Sequence, residues 1–568
     1  MPEFKWSESK IPSEDEVIKL KNSLNVNRIV ATLLCQRGIT DYNSAKKFFR
    51  PVLEDLHDPF LFKDMQKAVD RILRALNENQ KILVYGDYDV DGTTSVALMF
   101  SFLKQFTNNL EYYIPDRYKE GYGVSKAGID YAAENNFALI IALDCGIRSV
   151  ELVAYSNSKG VDFIICDHHL PGEILPPAVA ILDAKVPGET YPFKELCGCG
   201  VGFKLIQAIG ITKNLQKEAY FQYLDLVAVS TCSDIVPIVD ENRILVKFGL
   251  DKLNTNPSLG LKILKESCLS KAVITTSDVV FYIGPRINAV GRLYDAKAAV
   301  ELLIGTNTEA VTDSALSMND TNTERRAIDE SITAEALEMI KQDSNHSEKF
   351  SNVLYSPNWH KGVIGIVASR IIEHFYRPTI ILGLSDGKIS GSARSIKGFD
   401  IHEALMHCSD LLLQFGGHTH AAGLSMIPEN LPKFIQRFDQ IASDKLTREM
   451  LQPFINYDLR IERNEITPSL IKLLNQFEPF GPGNMTPLFY CDSFIDSGFA
   501  KQMGKGNVHL SLNISNPNFN NPIKGIAFKH GDKYEMVKDG ASFEAIFSIS
   551  EEEFNGQKNA QINFRDLK

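Results

Sequence analysis

The first 75 or so residues alternate apolar and polar positions at helical spacing, predicting a helical segment over 1–75 packed on the domain that follows. From Lys81 the pattern changes to short apolar runs, each ending in acidic residues or glycine. Ile82-Leu83-Val84-Tyr85 runs into Gly86-Asp87, Ala138–Leu143 into Asp144-Cys145-Gly146, and Val161–Cys166 into Asp167-His168-His169. Amphipathic stretches at Ser95–Gln105 and Ser149–Ser158 lie between or after them. Apolar strands interleaved with helices predict an α/β fold over 76–306, its parallel sheet covered on both faces. Ligands of such sheets bind beyond the carboxyl ends of the strands, where all three acidic clusters fall.

Residues 307–342 are highly charged at helical spacing and include Glu324-Arg325-Arg326, predicting a solvent-washed helix that joins two lobes. A second α/β segment, 343–446, carries the strand-like runs Val353-Leu354-Tyr355 and Thr379–Leu382 and the glycine-rich Phe415-Gly416-Gly417-His418. From Thr447 to the end, short alternating runs between Gly, Asn and Pro turns predict a β-rich module.

Composition narrows the reading. The 568 residues, 44% hydrophobic and 23% charged, exclude wholesale disorder and suit three or four domains at about 150 residues each. A net charge of −11 removes the basic footprint of a whole-chain nucleic-acid binder, so any polyanion must be met by local grooves or metal ions. Nine thinly spread cysteines are no disulfide framework, and Cys197-Gly198-Cys199 lacks the second pair of a zinc site. The acidic and polar N-terminus and the absence of any apolar run near ~20 residues predict a cytoplasmic protein with no membrane segment.

The strongest local signal is Gly86-Asp87-Tyr88-Asp89-Val90-Asp91-Gly92-Thr93-Thr94. Three carboxylates at alternating positions repel one another unless a cation neutralises them. A solvated Asx-rich turn is the plain alternative, and an EF-hand is excluded because the twelfth-position Glu is missing. Asp144 alone reads as a helix cap. In Asp167-His168-His169, one histidine can ligate a metal while its neighbour meets substrate; a surface or core pair is the alternative. Asp234 follows the apolar run Leu224–Val229. Each element is weak, but all four end elements of one α/β segment. Mixed oxygen and imidazole ligands suit Mn²⁺ or Mg²⁺, and there are enough for two ions sharing a carboxylate, the arrangement used in phosphoester hydrolysis.

These four motifs resemble those of the DHH phosphoesterase superfamily. Further segments resemble its single-strand-specific exonuclease branch: Ile114-Pro115-Asp116-Arg117 with Gly121-Tyr122-Gly123; Gly284–Arg292; Trp359–Gly365 and Phe415–His418 of a DHH-associated domain; and Phe480-Gly481-Pro482-Gly483-Asn484 with a β-rich tail like an OB-fold. The resemblance covers essentially the whole chain, in order. It implies a 5′→3′ exodeoxyribonuclease that releases 5′-mononucleotides from single-stranded DNA in repair and recombination. Carried over, Asp89, Asp91, Asp144, His168 and Asp234 would hold two divalent ions, with Asp144 bridging. Asp87 would support the first motif or join the ligand shell, and His169 would contact the scissile phosphate. No side-chain nucleophile is required.

The resemblance also implies that Ser392 and Arg394 take the terminal 5′-phosphate, Arg through its planar fork. Arg117, Arg286, Arg292 and His418 are further candidate contacts to DNA, as are His420, His360 and Lys361 of the DHH-associated domain. Tyr118 and Tyr122 offer faces for unpaired bases; packing beneath a loop is the alternative for the tyrosines, and an interdomain salt bridge for Arg286 or Arg292. Two lobes and an OB module fit a threaded channel too narrow for duplex. Implied partners are single-stranded DNA, a helicase and a single-strand-binding protein; nothing in the sequence demands an oligomer, and a monomer is expected. Three features depart from the superfamily pattern. Tyr85 stands where a histidine ligand is common, Asp183-Ala184-Lys185 replaces Asn-Pro in what is expected to be a loop change only, and the OB module is weakly charged. The competing readings are an oligoribonuclease or cyclic-dinucleotide phosphodiesterase, a pyrophosphatase, and a non-catalytic replication scaffold.

Overall fold

Residues 3–385, 387–554 and 557–568 are described in a computed structural model of the chain. The N-terminus departs at once from the helical expectation: β1 (Lys5–Glu8) is a strand, paired in parallel with β12 (Phe454–Tyr457). Helices follow. Ser13 closes a capping box at the start of Glu14–Leu24, and Asn27 caps Arg28–Gln36. Their Leu20, Val30, Leu33 and Leu34 enter the core of the β-rich C-terminal domain, whereas Met65–Asn77 turns Met65, Ala68 and Ile72 onto the parallel sheet.

That sheet holds β2 (Lys81–Gly86), β3 (Leu110–Tyr113), β4 (Phe137–Leu143), β5 (Asp162–Cys166) and β6 (Ala180–Leu182) in the order β3-β2-β4-β5-β6, all parallel. The strands are apolar on both faces because both are covered: Ile82 and Val84 pack with Phe102 on one side, Leu83 and Tyr85 with Ile129 and Phe163 on the other. Register sets the site. Gly86 pairs with Leu143, Leu143 with Cys166, and Cys166 with Leu182. The next residues, Asp87, Asp144, Asp167 and Asp183, therefore form one row at the carboxyl edge. After β2 the chain adds β3 on one side and β4 on the other, so the row straddles a topological switch point.

The chain divides into two compact units. One comprises Lys10–Asn319 and Asp458–Lys568. Besides the parallel sheet it holds a seven-stranded sheet, β13 (Leu459–Arg460), β14 (Phe489–Ile495), β15 (Lys501–Met503), β16 (His509–Ile514), β17 (Ile523–Ala527), β18 (Ser542–Phe554) and β19 (Gln557–Leu567), in the order β13-β14-β18-β19-β17-β16-β15. Phe489, Phe494, Leu512, Phe547 and Phe564 fill its core. The other unit comprises Asp320–Tyr457 with the N-terminal strand. Its sheet has the order β10-β11-β9-β8-β7, where β7 is Asn352–Tyr355, β8 Thr379–Ser385, β9 Lys388–Arg394, β10 Gln414–His418 and β11 Ala421–Met426. Only β7–β8 is a parallel pairing.

The unit boundary falls within one helix, Thr308–Gln342. It is not solvent-washed as its charge suggested. Val311, Ala315, Met318, Asn322, Arg325, Asp329, Ala336 and Ile340 are buried along it, and Asp329 is held by Arg325 at 3.6 Å and Arg370 at 2.8 Å. Among the described residues no helix is long and apolar enough to cross a membrane.

Candidate metal centre

The first motif forms the tight passage from β2 into the helix Val90–Leu103. Gly92 permits it: a Cβ there would lie 2.3 Å from the carbonyl oxygen of Asp87. Asp89 caps the helix, accepting a hydrogen bond from Gly92 N at 3.0 Å. Asp91, one turn in, is clamped by the start of another helix, Gly198–Thr212, whose free amides of Gly198 and Cys199 donate to it at 2.6 and 2.7 Å. The Ser230 hydroxyl adds a third bond at 2.5 Å. Asp144 has a left-handed backbone, φ 61°, and packs so closely on Gly198 that a Cβ there would lie 2.6 Å from its own Cβ.

His168 stands at the middle of the cluster. Its Nε2 is 3.2 Å from Asp144 Oδ1, 3.6 Å from Asp91 Oδ2 and 3.6 Å from Asp234 Oδ2. Three overlapping groups have their ligand atoms within 4.8 Å of one another: Asp87, Asp89 and Asp144; Asp91, His168 and Asp234; and Asp144, His168 and His169. Both carboxylate oxygens of Asp87, Oδ1 of Asp144 and both ring nitrogens of His168 are buried without a hydrogen-bond partner. Unpartnered buried polar atoms of this kind are rare because each costs free energy. Burial first, and then their mutual repulsion, raises the pKa of Asp87, Asp89 and Asp144, and pushes Asp234 up to about 8. Burial lowers His168 to about 4, leaving a neutral imidazole with lone pairs to offer. Converging oxygen and imidazole donors, destabilised by their own charge, are the donor set that fits hard divalent cations.

His169 belongs to a different arrangement. Its Nδ1 lies 2.7 Å from Asp167 Oδ1 and its Nε2 lies 3.0 Å from the Tyr122 hydroxyl. Asp167 also accepts from Ile147 N and His168 N. Burial opposes the charge on both groups, but this bonding outweighs it and holds Asp167 at about 2 and His169 at about 9, an ion pair at neutral pH.

The helix Gly284–Leu293 buttresses the first motif: Asn288 Oδ1 accepts from Val90 N at 3.2 Å, and Gly291 leaves room for the Tyr88 carbonyl. Arg117 stacks over the Tyr88 ring, 4.8 Å from its centroid, and the Tyr118 hydroxyl donates to the carbonyl of Arg292. Arg117, Tyr122 and Arg292 thus come together beside the aspartate row. Arg286 instead donates to Asn319 and to the Tyr282 carbonyl. In the other unit, Arg394 and His418 lie on one rung of the sheet, each paired with Ala421, and Arg394 donates to Ser392 Oγ at 3.0 Å. Gly365 opens the space beside them: a Cβ there would lie 2.9 Å from both Arg394 Nη2 and Ser392 Oγ. His420 N donates to His418 Nδ1, and Gly362 N to His360 Nδ1.

Two sequence expectations are corrected. Tyr85 is not at a ligand position: it points to the opposite face of the sheet, stacks on Tyr113 and donates to the Gly123 carbonyl at 3.0 Å. Asp87, on the cluster side, stands beside Asp89 and Asp144 in its place. Asp183-Ala184-Lys185 is more than a loop change. Asp183 completes the aspartate row, buried, with one oxygen accepting from Lys185 N at 2.8 Å and the other unpartnered, and the charge of Lys185 reaches His168 and Asp234. Sequence reasoning also misses the Gly198–Cys199 cradle for Asp91. Its signal is the glycine-rich run Cys197–Gly202, whose cysteine spacing speaks only to zinc.

A parallel sheet with this cluster at its switch point defines a DHH-type phosphoesterase. Residues 81–231 match the DHH family N-terminal domain, 350–444 the DHHA1 domain and 457–566 the RecJ OB domain. The chain is 37% identical to the single-stranded-DNA-specific exonuclease RecJ of Bacillus subtilis, over 99% of this chain and 70% of that one. It is 32% identical to RecJ of Dickeya dadantii, over 95% and 96%. The crystal structure of RecJ in complex with Mn²⁺ from Thermus thermophilus superposes with a TM-score of 0.84 at 28% identity, over 99% of this chain and 79% of that one. The chain belongs to the RecJ family.

Proposed function

We propose that the protein is a single-stranded-DNA-specific exonuclease that removes 5′-mononucleotides in the 5′→3′ direction, in DNA repair and recombination. The observation that carries the reading is the set of buried, unpartnered donor atoms on Asp87, Asp144 and His168 at the switch point of a RecJ-family sheet. Asp89, Asp91, Asp144, His168 and Asp234 would hold two divalent ions, Mn²⁺ or Mg²⁺, with Asp144 shared and Asp87 completing the set. When bound, such a pair supplies Lewis-acid chemistry, lowering the pKa of water and neutralising charge on the phosphate.

The protein's own groups do the rest. Asp167 keeps His169 protonated, so the imidazolium faces the scissile phosphate as a fixed positive charge, oriented by Tyr122. Arg117 and Arg292 would pair with backbone phosphates near the first motif. Arg394, Ser392 and His418 would take the terminal 5′-phosphate, which fixes the polarity. Arg286, engaged with Asn319, is left with a supporting part. The implied helicase and single-strand-binding partners follow from the family alone.

A substrate panel tests this. Single-stranded DNA, blunt duplex and short RNA, each 5′-phosphorylated, are incubated with Mn²⁺ and either the wild type or Asp144→Ala. Loss of the single-stranded DNA alone, absent in the variant, is expected. Consumption of the short RNA alone would replace the reading with an oligoribonuclease, and no cleavage with no metal retained would place the chain among scaffolds.

A further inference from the structure

The carboxylates of the cluster are not all held alike. Asp91 is fixed by two amides and a hydroxyl, and Asp89 by Gly92 N. Among the described residues the Asp234 carboxylate accepts no hydrogen bond and meets only His168, at 3.6 Å. Its position is set by its backbone alone. Asp234 ends the helix Leu224–Ser233, and only five residues separate it from the helix Asp240–Thr255.

That short strap is taut. Ile235 adopts φ 60°, a conformation β-branched residues rarely take, and is itself 62% exposed. Val236 and Ile238 are buried, and the Pro237 carbonyl accepts from Asn242 Nδ2 at 2.9 Å. The far end is gripped from the β-rich domain by the turn Phe480–Asn484, a segment with no part in the proposed catalysis. The Pro482 carbonyl accepts from Ile238 N at 2.7 Å. A Cβ on Gly481 would lie 2.4 Å from Ile238 Cγ1, and one on Gly483, φ 75°, would lie 2.9 Å from Val239 Cγ1. The turn is itself rigid. Gly481 and Asn484 bond each other's backbones at 3.0 and 2.9 Å, and the Asn484 amide donates to the Phe477 and Pro479 carbonyls. Arg243, on the helix beyond the strap, donates to the carbonyls of Phe477 and Glu478, and Arg37 donates to Asn484 Oδ1.

We propose that the Phe480–Asn484 turn is a positioning clasp for Asp234: by pinning Ile238 it places a carboxylate that no hydrogen-bond donor holds and that follows a helix rather than a sheet strand, so the β-rich domain completes the metal centre. The inference rests on the reading of Asp234 as a metal ligand. The pin lies only four residues from the carboxylate, with a strained residue between them, so a shift at Ile238 passes to Asp234. Gly481 and Pro482 are positioning residues; they touch neither metal nor substrate.

The test is Mn²⁺ titration of the full-length protein, followed by electron paramagnetic resonance, in the wild type, Asp234→Asn, Gly481→Val and Phe494→Leu. The last weakens the β-rich core away from the clasp and controls for general destabilisation, followed by thermal melting. The wild type is expected to bind two ions. Asp234→Asn should lose one binding event, and Gly481→Val should weaken that same event at least tenfold while sparing the other. Phe494→Leu should lower the melting temperature and leave both events unchanged. Should Gly481→Val not fold, Gly481→Ala gives the same comparison. Two tight events in the Gly481 variant would overturn the clasp. So would a weakened event in that variant with both events intact in Asp234→Asn. A wild type that binds no Mn²⁺ would overturn the metal reading itself, and the clasp with it.

Discussion

Asp167 and His169, two residues apart in one signature, form an ion pair at 2.7 Å whose aspartate is spent on its neighbours. Asp167 holds the His169 ring and the backbone amides of Ile147 and His168, and so gives the turn its shape. Asp167→Asn should leave Mn²⁺ binding nearly unchanged and lower kcat by about 10–100-fold, the usual loss when an orienting partner is removed. Single-turnover kinetics beside a Mn²⁺ titration check it.

The row Asp87–Asp144 is destabilising in the absence of cations, because burial and mutual repulsion oppose its charge. Asp144→Asn should therefore raise the melting temperature of the EDTA-treated protein. Asparagine tolerates the left-handed backbone that Asp144 requires, φ 61°. Mn²⁺ at about 100 times its Kd should stabilise the wild type by about 2.7 kcal/mol and the variant far less. Thermal melting with and without Mn²⁺ reads both effects.

Gly198 has no room for a side chain, since its Cβ would fall 2.6 Å from that of Asp144 and 2.8 Å from its Cα. Gly198→Ala should cost about 1–3 kcal/mol by overpacking and abolish most activity by moving Asp144 and the amides that hold Asp91. Urea denaturation and the exonuclease assay separate the two losses.

How much of this was legible in the sequence depends on which physical signal each part carries. The parallel sheet was readable because strands buried on both faces are uninterrupted apolar runs, and each run stops at an aspartate. Asp234 was readable because it ends an apolar helix. The cradle at Gly198 was not, since its chemistry lies in backbone amides that no side chain announces. Tyr85 was misplaced because its ring packs against Tyr113 and Ile129 and its hydroxyl is spent on the Gly123 carbonyl, surroundings that a search for ligand residue types ignores. The charge on Thr308–Gln342 hid a buried stripe in which Arg325 and Arg370 neutralise Asp329. Strand β1 is four residues long and defined only by its distant partner β12.

A buried ion pair lies away from the aspartate row. Lys204 Nζ meets Glu241, which also takes hydrogen bonds from Tyr191 OH at 2.6 Å and His57 N at 2.8 Å. Both side chains are fully buried. Lys204→Met should destabilise the protein by about 3–5 kcal/mol, because a charge is left without its partner, and Lys204→Met with Glu241→Leu should recover part of the loss. Urea denaturation of the single and double variants measures it.

Arg394 should govern the preference for a phosphorylated end. Arg394→Ala is expected to reduce the ratio of rates on 5′-phosphate and 5′-hydroxyl DNA by about tenfold or more, equivalent to about 1.4 kcal/mol per decade. Arg394→Lys should restore little, since an ammonium lacks the planar fork. Paired time courses on the two substrates check it.

The most direct test of the metal centre is a crystal structure grown with Mn²⁺, with anomalous differences collected at the manganese edge. Two peaks about 3.5–4 Å apart, bounded by Asp89, Asp91, Asp144, His168 and Asp234, are the predicted result. Peaks held by other residues, or no peak at the aspartate row, would contradict it.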